Sequence, residues 1–297
     1  MRKTILLTGA TGFLGSHLLE RFLKENYKLI ILKRSFSDIW RIKDLISEVS
    51  SYDVDKVDLR IIFKENKINY VVHTATNYGR KGEPASQILR DNLLFSIELL
   101  EQAAFFNTDT FFNTDTLQYK YLTNYTLSNK QFTEWLKKFA ESEKIKIVNL
   151  KIEHMYGPKD DDNKFVMWLV KQLLDDVPEI KLTKGEQKRD FIFIDDVVDA
   201  YSKVLLEPDL NYFSELEVGT GKSIPLKHFI NVIKSEVEKR KIKKNFTKLN
   251  FGALEYRTNE PMEIKVDNKK LIKLGWSPKI EIYKGVELLI NSKMGNK

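Results

Sequence analysis

An α/β architecture is predicted by three features of this sequence: a doubly wound parallel sheet comes first, then a smaller lobe built from discontinuous segments. Short apolar runs alternate with amphipathic stretches through the first half, a glycine-rich turn separates the first run from the first helical pattern, and the rhythm changes beyond Gly157-Pro158. Buried-looking strands separated by helices form parallel sheets, because each crossover needs a dozen or more residues and lays its helix over a face of the sheet.

The elements follow in order. Residues 3–8 make an apolar strand and 12–25 a helical pattern; 28–33 is a strand, 57–66 a helix, 70–73 a strand and 85–104 a helix. Strand 110–114, helix 125–144 and strand 146–152 complete the alternation. A charged loop, 159–164, precedes a helix near 165–174 and a strand at 179–183. Residues 191–194 lead into Asp195-Asp196, which cap a helix running to 206. The apolar strand 214–218, ending at Gly219-Thr220-Gly221, is placed to rejoin the sheet, and helices are expected over 225–239, 268–274 and 283–292. The first domain is therefore 1–157 with 190–222 returning to it, and the second lobe is 158–189 plus 223–297. Phe-Phe-Asn-Thr-Asp-Thr occurs twice in succession, at 105–110 and 111–116. The first copy reads as the exit turn of the preceding helix and the second as the strand end nearest a site.

Composition excludes several classes. Among 297 residues, 42% are hydrophobic and 31% charged, the balance of an ordered chain. The net charge of +7 is scattered, which argues against a nucleic-acid footprint. With no cysteine, disulfides, cysteine-ligated zinc and thiol catalysis are out, and no metal site is expected. Thr8, Gly9, Thr11 and Gly12 interrupt the opening apolar run at once, so neither a signal peptide nor a membrane span is read, and a cytoplasmic location is expected.

Gly9-Ala10-Thr11-Gly12-Phe13-Leu14-Gly15 follows a strand and opens a helix, the context that makes a glycine pattern informative. Gly9 permits a tight turn, Gly12 lets backbone amides approach a pyrophosphate, Gly15 allows close helix packing, and the helix N-terminus favours an anion. Thr11, Phe13 and Leu14 lie in the same cradle, and a Rossmann-type dinucleotide domain is expected. At the end of the second strand, where an acidic residue would bond the ribose hydroxyls of NAD, the chain has Lys33-Arg34. These favour the 2′-phosphate of NADP(H).

The Gly-x-x-Gly-x-x-Gly spacing, Thr114, and Tyr125 in the segment Tyr125-Thr-Leu-Ser-Asn-Lys130 together resemble the extended short-chain dehydrogenase/reductase family. Segments 73–79, 112–115, 153–158, 163–165, 184–196, 217–221 and 257–260 narrow the likeness to nucleotide-sugar 4-reductases of the CDP-abequose and CDP-paratose synthase kind. The resemblance implies hydride transfer from NADPH to a 4-keto carbon of a nucleotide-linked 6-deoxy or 3,6-dideoxy sugar for surface polysaccharide. It implies Tyr125 as proton donor and Thr114 as the hydroxyl on the substrate oxygen. A free phenol titrates near ~10 and needs a nearby cation to exchange its proton at neutral pH. In the family that cation is a lysine four residues on, which also bonds the nicotinamide ribose; here the position holds Asn129. Lys130 is one residue further, turned about 100° around the helix. Asn129 can bond a ribose hydroxyl but carries no charge. Three explanations stand open: another group substitutes, the chain is an inactive homologue, or it is a Lys-to-Asn variant. Reduced turnover with cofactor binding retained is expected. Thr114-Asp115-Thr116 also resembles the Thr-Asp-Glu of nucleotide-sugar 4,6-dehydratases, but Thr116 stands in place of the glutamate, which favours reduction.

By the same resemblance Thr74, Ala75 and Thr76 border the cofactor, while Tyr78, Arg80, Asp115, His154 and Asn163 face the sugar nucleotide. Lys164, Arg189 and Arg257 are candidates for its diphosphate. Asn92 is expected to support the backbone near the site. A homodimer through helices 85–104 and 125–144 is expected. The rival functions are a catalytically silent NADP-binding sensor or scaffold and a nucleotide-sugar epimerase.

Overall fold

The computed structural model describes residues 2–207, 209–240 and 247–295. Six strands of the first half are β1 (Thr4–Thr8), β2 (Lys28–Lys33), β3 (Ser50–Asp53), β4 (Tyr70–His73), β5 (Thr110–Thr116) and β6 (Lys146–Ile152). Between them run α1 (Phe13–Lys24), α2 (Leu59–Glu65), α3 (Ala85–Leu89), α4 (Phe95–Phe105) and α5 (Asn124–Ala140). Later come β7 (His154–Tyr156), α6 (Phe165–Leu174), β8 (Glu179–Leu182), β9 (Lys188–Arg189), β10 (Phe191–Phe193), α7 (Ile194–Leu205) and β11 (Phe213–Val218). The chain closes with β12 (Ile224–Pro225), α8 (Leu226–Arg240), β13 (Lys248–Phe251), α9 (Lys269–Lys273) and α10 (Ile282–Met294).

The central sheet has seven strands in the order β11-β6-β5-β4-β1-β2-β3, and the pairs from β3 across to β6 are parallel. The predicted α/β class holds, and the strand order reverses between β1 and β4, the crevice where such sheets take ligands. Every residue of β1 and β4 is buried, as a strand covered on both faces requires. One layer of the core joins Phe111, Leu99 and Leu100 to Phe132 and Leu136 of α5.

Three local departures matter. Ser50–Asp53 forms β3 at the sheet edge, although its half-exposed Ser-Ser-Tyr-Asp has no apolar run to announce it. The predicted helix 85–104 is interrupted by a π-turn at Arg90–Leu94. The helix starting near Tyr125 ends at Ala140 and not at 144, and Thr123 caps it in a reciprocal box with Thr126.

Two compact units divide the chain: 1–152 with 198–217 and 270–276, and 153–197 with 218–269 and 277–297. In the second unit β7 pairs β10 and β8 pairs β13, both parallel, while β9 pairs β12 antiparallel. Among the described residues no helix is long and apolar enough to cross a membrane.

Candidate functional site

The turn after β1 is built around three glycines with separable reasons. Gly9 has φ 70°, and a β-carbon there would lie 2.6 Å from Thr74 Oγ1 and 2.7 Å from the Ala75 nitrogen, so only glycine fits. A β-carbon on Gly15 would fall 2.1 Å from the Gly9 carbonyl oxygen, so α1 sits on the turn at glycine distance. Gly12 is the N-cap of α1, with no side-chain cap and no acid in the first turn. No acid of its own first turn competes for the positive end of the helix. The side chains of Phe13 and Leu14 are buried, which leaves the backbone as the turn's outer face. Thr11 is half-buried, and its carbonyl accepts a bond from Arg41 at 3.2 Å. An uncapped helix N-terminus behind a turn whose glycines keep side chains out of its backbone fits a dinucleotide pyrophosphate.

Below the turn, β1 and β4 are stitched by a buried polar chain. Thr8 Oγ1 lies 2.8 Å from His73 Nδ1 and accepts from the backbone nitrogens of Thr74 and Ala75, both at 3.2 Å. Thr74 Oγ1 donates to the Thr8 carbonyl at 2.8 Å. His73 Nε2 reaches Ser96 Oγ at 2.8 Å. Burial lowers the imidazole pKa to about 4, so the ring is neutral at physiological pH and acts as a strut. The next segment hangs from Asn92 in the π-turn. Asn92 accepts from the Asn77 nitrogen at 2.6 Å, donates to the Asn77 carbonyl at 2.8 Å and reaches Ser128 Oγ of α5 at 3.1 Å. One amide thus couples the loop carrying Thr76 and Tyr78 to the helix carrying Tyr125. A π-turn is a recurrent companion of functional sites.

Tyr125, in the first turn of α5, is half-buried with its ring 4.7 Å from that of Tyr78. Surrounding packing desolvates the phenol and raises its pKa well above the usual value; Tyr78 and Asp115 push the same way, while Arg80 and a hydrogen bond to Asn129 oppose the shift. Asn129 follows one turn along the same helix. Lys130 does not serve it: its ammonium lies 3.0 and 3.1 Å from the two carboxylate oxygens of Asp115 and also bonds the Thr116 carbonyl. Asp115 accepts further bonds from Thr133 Oγ1 and Asn149 Nδ2, each at 3.2 Å, and its side chain is fully enclosed. The expectation that Asp115 faces the sugar meets an inward-turned carboxylate, because a buried acid needs these partners. Thr114 Oγ1 lies 2.6 Å from the hydroxyl of Tyr201, a buried residue of α7 that the sequence reading missed because it occurs within an ordinary amphipathic pattern.

The two cations after β2 differ. Lys33 is ion-paired to Asp53 of β3, the strand the sequence reading did not contain. Arg34 is exposed and stacks over Phe36 at 4.9 Å. Of the pair, Arg34 is the one turned outward, and Arg41 beside Trp40 is a second cation near the turn that the spacing did not single out.

In the second unit, His154 Nδ1 is 2.8 Å from Glu153 Oε1. Lys164 is held at 2.6 Å by Asp160, and Asn163 is exposed. Glu260 pairs with both Arg189, which is buried, and Arg257, which is exposed. Asp190 is fully buried and accepts from Thr220 and Gly221, closing the turn 219–221. Among the described residues no cluster of three or more His, Cys, Asp or Glu is arranged for a metal.

A sheet with this crossover order, a glycine cradle at its reversal point and a tyrosine at the head of α5 defines a nucleotide-dependent α/β enzyme. Residues 5–215 match the NAD dependent epimerase/dehydratase family, and the chain belongs to it. It is 37% identical over 99% of both chains to the CDP-abequose synthase of Salmonella muenchen, and 31% identical over 98% of both chains to that of Salmonella typhimurium. Among solved structures, UDP-glucose 4-epimerase of Thermotoga maritima, determined with UDP-glucose, superposes with a TM-score of 0.84 at 21% identity, covering 99% of each chain. The UDP-glucuronic acid 4-epimerase of Bacillus cereus, determined with UDP-glucuronic acid and NAD, gives 0.83 at 24% identity, covering 99% of this chain and all of its own. At those identities the likeness to the two epimerases is one of fold.

Proposed function

We propose that this chain is built to reduce the 4-keto group of a nucleotide-linked 6-deoxy or 3,6-dideoxy sugar with NADPH, as a CDP-abequose-synthase-like step toward surface polysaccharide. The observation that carries the reading is Tyr125, half-buried at the head of α5 with its ring 4.7 Å from that of Tyr78 and Asn129 one turn further along the helix. Full-length identity to two CDP-abequose synthases supports the substrate class.

The glycine cradle and the positive end of α1 would hold the pyrophosphate, and exposed Arg34 would pair with the 2′-phosphate. The bound cofactor supplies a hydride to the keto carbon. Tyr125 then gives its hydroxyl proton to the developing alkoxide and regains one from water. Thr114, its hydroxyl oriented by Tyr201, would bond the same oxygen. Tyr78 and Arg80 border the reacting end; in the second unit His154 and Asn163 are candidates for the sugar nucleotide, and Lys164, Arg189 and Arg257 for its diphosphate. The shared Glu260 leaves Arg189 and Arg257 one net positive charge between them. A homodimer through α3, α4 and α5 is supported by exposed Leu89, Leu94 and Trp135 on those helices and their π-turn.

Because no cation among the described residues bonds the phenol directly, the chain is expected to turn over slowly. Consumption of NADPH with a CDP-4-keto-3,6-dideoxyhexose should rise about 100-fold or more in Asn129→Lys, the scale of general acid catalysis. Equal fast rates in both forms would overturn this account of phenol activation. A second reading, a silent NADP-binding module, is favoured by Asn129, and absence of reduction in both forms despite NADPH binding would support it.

A further inference from the structure

Where the chain lacks a lysine on the Tyr125 side of α5, one other cation stands close. The Arg80 guanidinium lies 4.6 Å from the centroid of the Tyr78 ring, and that ring lies 4.7 Å from the Tyr125 ring at 43°. The three side chains form a stack running from a solvent-facing cation to the half-buried phenol. All of it belongs to the first unit, and the Asn92 amide ties the loop bearing Tyr78 to α5. We propose that Arg80 is a positioning residue that supplies, across Tyr78, the positive charge Asn129 withholds from the Tyr125 hydroxyl.

The groups acting on Tyr125 leave little choice. From its own helix comes the neutral Asn129 amide; from β5 comes Asp115, whose negative charge opposes ionisation; from the loop after β4 come the Tyr78 hydroxyl, which also opposes it, and Arg80, the cation that favours it. Lys130 is held in place by two oxygens of Asp115 and one carbonyl. Arginine suits the role, since its planar cation stacks on an aromatic face and keeps its charge at any pH the enzyme meets. Exposed in this structure, the guanidinium is screened by water, and a sugar nucleotide laid over the loop would strip that screening and strengthen its field. In the proton step, the Tyr125 O–H bond breaks, its proton goes to the alkoxide formed by hydride addition, and the resulting phenolate is the species Arg80 stabilises.

The inference rests on the proposed reduction, and the test separates the two. In the chain as it stands, Arg80→Gln should lower kcat about tenfold with little change in KM, and Arg80→Lys should retain most of the rate. In the Asn129→Lys background, where a direct cation is present, Arg80→Gln should cost less than about twofold. Independently of turnover, the phenol is followed by fluorine NMR of 3-fluorotyrosine-labelled protein, with the Tyr125 signal assigned by its loss in Tyr125→Phe. Arg80→Gln should move that titration to higher pH. Equal kcat losses in both backgrounds, a loss confined to KM, or an unmoved Tyr125 titration would overturn the proposal and make Arg80 a substrate contact. Failure of every form to reduce any keto sugar would sink the proposed function, while the titration would still decide the role of Arg80.

Discussion

The two copies of Phe-Phe-Asn-Thr-Asp-Thr have the same six residues and opposite fates. In the first copy Phe105 ends α4 exposed, Phe106 stacks on Phe63, and Asn107 turns left-handed at φ 55°. The Thr108 nitrogen bonds the Ala103 carbonyl and the Asn107 nitrogen the Ala104 carbonyl, which is a Schellman stop. In the second copy all six residues are extended in β5, with Phe111 and Phe112 buried on opposite faces between β4 and β6. Local preference cannot separate identical hexapeptides. What separates them is what each copy abuts: a helix end in one case, two waiting strands in the other.

Paired substitutions should widen this contrast, beginning with the aromatic pair. Phe111→Ala opens a cavity beneath α4 and α5 and should cost about 3–5 kcal/mol in urea unfolding, whereas Phe105→Ala should stay within about 0.5. Equal losses would mean the first copy is packed in solution. The acids come next. Asp115→Ala strands the Lys130 ammonium and should cost about 3 kcal/mol or more, while Asp109→Ala removes a half-exposed pair 3.8 Å from Lys3 and an exposed bond from Asn69 at 3.2 Å and should cost under about 1. Thermal melts at matched pH read both. For the threonines the two copies should differ in sign. Thr114→Val leaves the buried Tyr201 hydroxyl unmatched and should cost about 1–3 kcal/mol, but Thr108 Oγ1 is buried without a hydrogen-bond partner, so Thr108→Val should be neutral or stabilising. A loss at Thr108 comparable to that at Thr114 would contradict the contrast. The smallest difference belongs to the asparagines: Asn107→Gly should gain a few tenths of a kcal/mol at its left-handed φ, and Asn113→Gly should lose about 1 from a strand interior where its amide bonds Asn149 at 2.8 Å.

The same contrast marks how far the sequence could be read. Apolar alternation and the glycine spacing carry direct structural signatures, so the sheet, the turn at Gly9 and the different roles of the hexapeptides were legible. Ser50–Asp53 was not, because an edge strand with two exposed serines shows neither alternation nor an apolar run. Lys33 and Asp115 were readable as charges but not as partners. Asp53 meets Lys33 only through β2–β3 pairing, and Asp115 meets Lys130, Thr133 and Asn149 only when α5 and β6 are laid on β5. Tyr201 reaches Thr114 across 87 residues of chain, a distance no local pattern spans. The departure at Asn129 was visible as a missing charge, whereas the stacked alternative through Tyr78 became visible only with the loop in place.

The π-turn at Arg90–Leu94 makes helix length itself a constraint. Substitutions on its outer face leave the backbone ladder intact, but deleting a single residue there would restore the ordinary α repeat and swing Asn92 through about 100°. The loop holding Tyr78 and the helix holding Tyr125 would lose their common tie in one event. Across descendants of this chain, that stretch should tolerate changes of letter far better than changes of number.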